Sequence, residues 1–149
     1  MIKIKKINVE SLDRLHEIDK NNFSDAWTYE MMKSELENAN ALYFGLFNDD
    51  EIIGFCGGWY VAGEYQINKV VIDFPHQNKK LGQIFFTYVL EQVKLMGANI
   101  ATVEVRESNH AAIKVYTKAG LDVVSKRENY YANNKENAYV LTRNFKDER

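Results

Sequence analysis

Three apolar runs follow one another in the middle of the chain, and the turns that separate them are three or four residues long. The runs span residues 41–47, 52–61 and 65–73, and polar or glycine-containing turns lie between them. Short apolar runs bounded by such turns predict β-strands joined as hairpins. The segment therefore predicts an antiparallel meander of three strands, against which the rest of the chain has to pack.

Helical periodicity marks the segments on either side of this meander. Toward the N-terminus, Leu12, Leu15, Ile18 and Phe23 share one helical face. Thr28 is placed to cap a second helix that continues to about residue 36. A long helix follows the meander, and Gly97 suits its C-terminal cap. The apolar stripe predicted for this long helix consists of Leu81, Ile84, Phe85, Tyr88, Val89, Val93 and Met96.

Strands and one more helix are predicted in the remainder of the chain. Ser108 or Asn109 caps this helix, and Gly120 ends it. The strands outside the meander are predicted at residues 2–7, 100–106, 121–124 and 138–145. The resulting order, β-α-α-β-β-β-α-β-α-β-β, predicts an α/β (α+β) fold in which helices cover both faces of a mixed sheet.

Composition excludes several classes of protein. The 149 residues suit one domain, 1–149, and a net charge of −2 gives no broad positive surface for nucleic acid. Cys56 is the single cysteine, so an internal disulfide and a cysteine-based zinc site are excluded, and the three histidines lack metal-ligand spacing. No apolar run reaches membrane-spanning length. We therefore expect a cytoplasmic protein, monomeric or weakly dimeric, without a metal.

Residues 73–82 join the third strand of the meander to the long helix. The first backbone N–H groups of a helix have no intrahelical partner, and the helix dipole adds partial positive charge there. Gly82 lets a ligand approach the backbone closely, and Lys79 and Lys80 add positive charge. A pyrophosphate suits such a site. An ordinary strand-to-helix turn with solvated lysines is the alternative, because short glycine motifs often match by chance.

Several blocks of the sequence resemble known acetyltransferases. Residues 77–82, QNKKLG, resemble motif A of the GNAT superfamily, Q/R-x-x-G-x-G/A, with Lys80 in place of the first glycine. Residues 103–121, VEVRESNHAAIKVYTKAGL, are similar to the family's V-E-V-R-x-S-N-x-x-A-I-x-L-Y-x-x-x-G-F. Residues 126–131, KRENYY, and residues 23–28, FSDAWT, resemble elements of the ribosomal-protein-alanine N-acetyltransferases, the RimI type within that superfamily.

The resemblance implies a GNAT-like domain with a mostly antiparallel sheet of about seven strands and about four helices. It also implies acetyl-coenzyme A as cosubstrate. The pantetheine arm would lie along the third meander strand, where the Ile72 amide polarises the thioester carbonyl, and the pyrophosphate would lie at the start of the long helix. The cofactor-binding residues implied in this way are Val70, Val71, Ile72, Asn78, Lys79, Lys80, Leu81, Gly82, Gln83 and Asn109.

An amine must be neutral to attack the acetyl group directly, but an α-amino group, with a pKa of about 7.7–8.0, is mostly protonated at neutral pH. A base therefore has to remove its proton. The leaving thiolate then requires a proton. The resemblance implies Glu104 as the base and Tyr116 as the acid. Asn109 and Tyr116 lie two helical turns apart, a rise of about 10 Å, so both face the same side. The alternatives are an exposed, ion-paired carboxylate for Glu104 and a core position for Tyr116. Arg106 is expected to be structural or to orient Glu104.

The resemblance implies Trp27, Tyr130 and Tyr131 as acceptor-binding residues. Aromatic walls suit an extended peptide N-terminus, so we expect the acceptor to be a protein α-amine, such as the N-terminal alanine of a ribosomal protein. The structural alternative makes Trp27 and one tyrosine core anchors. Two other functions stay open: acetylation of a small amine (a polyamine, amino acid or antibiotic), and coenzyme A binding without catalysis. Cys56 lies in an apolar strand without a neighbouring acid or base, which favours a structural role.

Overall fold

The computed structural model describes residues 1–77 and 80–149, in which the chain forms seven strands and four α-helices. The strands are β1 (Ile2–Ile7), β2 (Ala41–Asn48), β3 (Glu51–Val61), β4 (Glu64–Ile72), β5 (Ile100–Arg106), β6 (Asp122–Arg127) and β7 (Ala138–Asn144). The helices are α1 (Leu12–Asn22), α2 (Tyr29–Glu37), α3 (Leu81–Leu95) and α4 (His110–Lys118). The order of elements agrees with the order predicted from the sequence.

The seven strands form one sheet in the order β1-β2-β3-β4-β5-β7-β6. Within it, β4 and β5 run parallel, and the other neighbouring pairs are antiparallel. The predicted meander is the run β2-β3-β4. Parallel neighbours need a long crossover connection, which α3 supplies between β4 and β5. The predicted fold class, a mixed and mostly antiparallel sheet with flanking helices, is confirmed.

Helices cover both faces of the sheet, as the order of elements predicts. Alternate residues of β2 belong to two different core clusters, because successive side chains of a strand point to opposite faces. Leu42, Phe44 and Leu46 pack on the face covered by α3 and α4. Tyr43 and Phe47 pack on the opposite face with α1 and α2. Each face of the sheet therefore has its own apolar core.

Side-chain caps begin two of the helices where the sequence predicts them. The hydroxyl of Thr28 accepts a hydrogen bond from the amide of Met31 at 3.1 Å, at the start of α2. The side-chain oxygen of Asn109 accepts one from the amide of Ala112, also at 3.1 Å. Asn109, rather than Ser108, is therefore the residue that caps α4.

Two of the predicted apolar faces are wrong in detail. Phe23 lies beyond the end of α1 in an extended conformation, with φ −132° and ψ 135°, so it does not share the helical face of Leu12, Leu15 and Ile18. On α3, three residues of the predicted stripe are exposed, and two residues outside that stripe are buried. The exposed residues are Ile84, Tyr88 and Met96, and the buried ones are Phe86 and Leu90.

The error on α3 has a simple cause. The helix carries apolar residues around most of its circumference, so sequence periodicity alone does not fix which side faces the sheet. Packing buries the side that carries Phe85, Val89 and Val93.

The predicted end of β6 is also too early. The strand extends to Arg127, three residues beyond its predicted end, because its pairing with β7 continues that far.

Candidate active site

The strands β4 and β5 lie side by side only at their N-terminal ends. Residues Glu64–Ile67 pair with Ile100–Val103, and the described pairing between the two strands stops there. Beyond this point β4 stays paired with β3, and β5 stays paired with β7. One edge of β4 is therefore open from residue 68 to residue 72, and the sheet splits at this place.

A β-bulge marks the residue at which β4 leaves β5. In the ladder between β3 and β4, Gly57 faces Lys69 and Gly58 faces Ile67, so Asn68 has no partner on β3. An extra residue of this kind bends its strand and increases the local twist. Glycine is required opposite the bulge, since a Cβ atom on Gly58 would lie 1.8 Å from a backbone carbonyl oxygen of β4.

The open edge of β4 presents backbone groups from alternate residues. The amide of Asp73 donates to β3 at 2.8 Å, and hydrogen bonds to one neighbour alternate along an antiparallel strand. Val71 therefore directs its backbone to β3, whereas Val70 and Ile72 direct theirs to the open edge. The side-chain amide of Gln77 donates to the Ile72 carbonyl at 2.8 Å. Of the three residues predicted to contact pantetheine through their backbone, Val70 therefore keeps its N–H and carbonyl at the open edge, and Ile72 keeps its N–H there. The backbone of Val71 is directed to β3 instead.

A cleft of about 490 Å³ lies where the two strands part. This volume is within the usual range for small-molecule sites. Its lining combines the connection between α1 and α2, the strands β4 and β5, the helix α4 and the loop between β6 and β7. The predicted site residues that it brings together are Trp27, Val70, Glu104, Asn109, Tyr116, Tyr130 and Tyr131.

Among the described residues, those predicted to bind phosphate, residues 80–83, lie outside this lining, at the start of α3. Lys80 precedes the helix in the left-handed conformation, with φ 60° and ψ 10°, at the position where the motif has glycine. A Cβ atom on Gly82 would meet, among the described residues, only a side-chain carbon of Ile72 at 3.7 Å. Internal packing therefore does not require glycine at position 82. Asn78 and Lys79 lie outside the described residues.

Leu81 and Gln83, which are also predicted to bind phosphate at the start of α3, have partly buried side chains. Leu81 packs against the core of the α3 and α4 face. The side-chain amide of Gln83 donates to the carbonyl of Val115 at 3.1 Å and to the hydroxyl of Thr87 at 3.2 Å, so it ties α3 to α4. At both positions the backbone amide, rather than the side chain, is the group left for an anion.

Glu104 lies on the cleft face of β5. Its Oε2 atom has almost no exposed surface and no hydrogen-bond partner within the described chain. The nearest cation is Arg127, whose Nε lies 3.7 Å from Oε2. The Glu104 carboxylate also raises the pKa of the Tyr130 phenol, and both residues line the same cleft. The Glu104 carboxylate is thus ion-paired with Arg127 at its Oε2 atom, which accepts no hydrogen bond from the described residues.

Tyr116 combines a nearly buried ring with a position in the lining of the cleft. Its ring packs against Phe86, with 4.9 Å between the ring centroids. Burial raises the pKa of the Tyr116 phenol well above its usual value, because the phenolate is costly to desolvate. The hydroxyl therefore keeps its proton at neutral pH. Tyr116 therefore packs in the core, as the structural alternative has it, and also lines the cleft, whereas its role as an acid stays a prediction.

Arg106 connects two loops at one end of the cleft and does not hydrogen-bond to Glu104. Its guanidinium stacks on the ring of Tyr131 at 3.9 Å from the centroid. It also donates four hydrogen bonds of 3.1–3.4 Å. The acceptors of these bonds are Asp25, Asn133, Asn134 and Glu136. Arg106 therefore ties the α1–α2 connection to the β6–β7 loop, which is the structural alternative foreseen for it.

Several residues of the cleft were not foreseen in the sequence. Phe23, Asp25, Asn68 and Lys69 line it. Three of them carried a signal in the sequence: Phe23 and Asp25 lie in the FSDAWT block, residues 23–28, and Lys69 is a lysine inside the apolar run of the third meander strand. The bulge that exposes Asn68 and the extended backbone at Phe23 depend on contacts between distant segments.

Cys56 has the buried, structural environment predicted for it. Its side chain is fully buried, and burial raises the pKa of the thiol to about 12. Across residues 1–77 and 80–149, no group of three or more His, Cys, Asp or Glu side chains is arranged to hold a metal ion. No helix in the same residues is long and apolar enough to cross a membrane.

Known proteins are similar to this chain in sequence and in fold over nearly its whole length. The family described as Acetyltransferase (GNAT) matches residues 12–121. A Bacillus subtilis (strain 168) protein, provisionally assigned as a ribosomal protein bS18-alanine N-acetyltransferase, is 32% identical over 139 residues, which are 93% of this chain and 92% of that protein.

Two solved structures have the same fold. The crystal structure of the ribosomal-protein-S18-alanine N-acetyltransferase from Escherichia coli has a TM-score of 0.91 at 22% identity, covering 97% of this chain and 94% of that one. The PaiA N-acetyltransferase from Thermoplasma acidophilum, in complex with coenzyme A, has a TM-score of 0.77 at 18% identity and covers 97% and 99% of the two chains.

Proposed function

Because the chain belongs to the GNAT family of acetyltransferases, we propose that it transfers an acetyl group from acetyl-coenzyme A to a protein N-terminal α-amine. The leading acceptor is the N-terminal alanine of a ribosomal protein, in agreement with the name of the Bacillus subtilis relative. One observation carries the proposal: distant segments bring a carboxylate, a protonated tyrosine and three further aromatic side chains to one cleft, where the sheet splits. These residues are Glu104, Tyr116, Trp27, Tyr130 and Tyr131. A ribosomal acceptor implies a cytoplasmic enzyme.

The donor would bind along the open edge of β4. Backbone groups of Val70 and Ile72 suit hydrogen bonds to an extended amide-containing arm, as a further strand would make. The pyrophosphate would lie at the start of α3, where the amides of Leu81, Gly82 and Gln83 have no intrahelical partner. The side-chain nitrogen of Asn109 is left for a cofactor hydrogen bond, since its oxygen caps α4.

Glu104 is the proposed general base. The acceptor amine enters as an ammonium ion and has to lose a proton before its nitrogen attacks the thioester carbon. Glu104 lines the cleft, and its Oε2 atom accepts no hydrogen bond from the described residues although Arg127 lies 3.7 Å away, so the carboxylate can take that proton directly or through one water molecule. The Ile72 N–H, at the open edge of β4, is the proposed donor to the carbonyl oxygen on which negative charge develops.

Tyr116 is the proposed general acid. As the new C–N bond forms, the C–S bond breaks and its electron pair stays on sulfur. The phenol of Tyr116 is protonated at neutral pH, as a tyrosine with its ordinary pKa of about 10 already is, and it lines the cleft, so it is available to protonate the leaving thiolate. The acetyl group thus passes from sulfur to nitrogen in a ternary complex, without an acyl-enzyme.

Trp27, Tyr130 and Tyr131 are the proposed acceptor walls. The rings of Tyr130 and Tyr131 meet edge to face, with 5.2 Å between their centroids, and Trp27 lines the same cleft. Such walls admit an extended backbone and a small first side chain. We also propose that the enzyme acts without a metal and without nucleic acid, as a monomer or weak dimer.

A substrate screen tests the acceptor. Peptides that begin with Ala or Ser and differ only in that residue would be compared with polyamines, amino acids and an aminoglycoside, with acetyl-coenzyme A as donor and thiol release as readout. We expect turnover of the peptides. If small amines alone are acetylated, the protein acceptor is refuted while the acetyltransferase activity stands.

A pair of carboxylate variants tests the mechanism. We expect Glu104→Gln to retain coenzyme A binding and to lose about 10²–10⁴-fold in kcat, the usual contribution of a general base. Glu107→Gln is the matched control, because Glu107 bonds Asn137 and does not line the cleft. Equal turnover in the two variants would remove Glu104 from the mechanism.

A further inference from the structure

A lysine that is only 10% exposed occupies an aromatic niche in the proposed acceptor part of the cleft. The ammonium of Lys69, on β4, lies 4.3 Å from the ring centroid of Trp27 and 4.9 Å from that of Phe23. Its Nζ is 2.5 Å from the Oδ1 atom of Asp19. The side chain of Lys69 is only 10% exposed and that of Asp19 is fully buried, so water screens this ion pair poorly.

The carboxylate of Asp19 is fixed by a second contact. Its Oδ2 atom accepts a hydrogen bond of 2.9 Å from the backbone amide of Trp27. One carboxylate therefore holds both the ammonium and the segment that carries the indole. Two aromatic faces with a carboxylate behind them form the arrangement that proteins use to bind alkylammonium ligands.

This niche belongs to the proposed acceptor side of the cleft. Phe23, Trp27 and Lys69 line the same cleft as Glu104 and Tyr130. Lys69 directly follows the bulge at which β4 turns away from β5. Without its lysine, the niche would offer a buried negative charge and two ring faces to whatever enters the cleft.

We propose that Phe23, Trp27 and Asp19 form a cation site that the chain fills with its own ammonium, and that Lys69 is therefore a specificity-determining residue. The filled site has no net charge to offer, so it admits small first residues and gives no advantage to a lysine side chain. Emptying it creates a pocket for an alkylammonium group. The part of this inference that concerns acceptor choice rests on the proposed function, whereas the cation site does not.

Ligand binding tests the cation site without acetyltransfer. The Lys69→Ala variant empties the niche, and n-butylammonium, which has the four carbons and the ammonium of a whole lysine side chain, is the ligand probe. We expect millimolar n-butylammonium to raise the Tm of Lys69→Ala and to change its tryptophan fluorescence, with no such effect of 1-butanol, its uncharged counterpart. Neither the parent protein nor Lys69→Arg, which keeps a cation in the niche, should respond.

The double variant Asp19→Asn/Lys69→Ala separates the cation site from a general loosening of the cleft. It lacks both charges, so it should fold without a buried unpaired ion and should ignore n-butylammonium. If Lys69→Ala is too unstable to purify, Lys69→Ser supplies the same test with a polar side chain in the niche. An equal response to n-butylammonium and 1-butanol, or no response, would overturn the inference.

Acceptor competition tests the role in specificity. Two peptides that begin with Lys or norleucine and are otherwise identical would be offered together, with the acetylated nitrogen located by tandem mass spectrometry. We expect Lys69→Ala to shift the ratio of α-acetylation toward the Lys peptide by about tenfold relative to the parent. An unchanged ratio in a variant that binds n-butylammonium would refute the specificity role alone. Absence of peptide turnover in the parent would instead count against the proposed function.

Discussion

Gly82 offers the sharpest test of the proposed phosphate site. In Gly82→Ala the new methyl group would meet Ile72 at 3.7 Å, an ordinary van der Waals contact. The change also replaces a poor helix former with the best one, in the first turn of α3. The gain in the free energy of unfolding should therefore lie between zero and about 1 kcal/mol. For a chain of this size, that gain raises Tm by at most about 4 °C.

Ligand affinity should move in the opposite direction. If the backbone at residue 82 donates to a phosphate, the methyl group holds the phosphate away and weakens one charge-assisted hydrogen bond, worth about 1.5–3 kcal/mol. Affinity for coenzyme A should then fall by about tenfold to a hundredfold. Isothermal titration with coenzyme A and the KM for acetyl-coenzyme A measure this loss, and thermal unfolding measures the stability.

A second glycine supplies the contrast. In Gly58→Ala the methyl group would lie 1.8 Å from the carbonyl oxygen of Gln66, so the bulge has to shift and Tm should fall. Opposite signs of the Tm change at the two glycines would separate a glycine kept for packing from one kept for a ligand. Unchanged coenzyme A affinity in Gly82→Ala would refute the reasoning about this site.

Three further predictions concern strain, the buried thiol and acid stability. Lys80→Gly should raise the free energy of unfolding by about 0.5–1 kcal/mol in urea titrations, because Lys80 adopts a left-handed conformation that costs little for glycine; a loss of stability would contradict this. Cys56→Ala should keep turnover, and no acetyl group should appear on the parent enzyme by intact mass, because the thiol is buried and its pKa is raised to about 12. Arg143 and Lys94 lower the pKa of Glu148 to about 2, so the ion pairs stabilise the fold above the unfolded pKa of about 4.3 and lose that effect as pH falls to about 2. The stability difference between the parent and Glu148→Gln should thus be below about 1 kcal/mol at neutral pH and vanish near pH 2, and a constant difference would contradict this.

The predictable parts of this fold are those that depend on neighbours in sequence. The alternation of Ala101, Val103 and Val105 with polar residues predicts a strand with one buried face, and β5 has that pattern of burial. Thr28 and Asn109 cap their helices through amides three residues away. The errors occur where a local pattern allows more than one answer, as on α3, whose buried side only the facing sheet selects.

The candidate site divides in the same way. The block from Glu104 to Tyr116 is compact in sequence, so its resemblance to a known motif is enough to indicate a base and an acid. The proposed aromatic acceptor walls do not form such a block. Trp27 and Tyr130 lie far apart in the chain, and only the fold brings both into the lining of one cleft. Asp19 likewise reads as an ordinary helix residue until the fold buries it against Lys69.

By itself, the sequence determined the order of strands and helices, the cap of α2 and the family, and it indicated Glu104 and Tyr116 as the candidate base and acid. These depend on periodicity, on short-range hydrogen bonds and on a contiguous motif. The tertiary structure decided where the sheet splits, that Arg106 joins the α1–α2 connection to the β6–β7 loop, and that Lys69 fills an aromatic niche. Each of these results from contacts between segments brought together by chain folding, and neither the distances nor the loss of water at such contacts is written in any local stretch of residues.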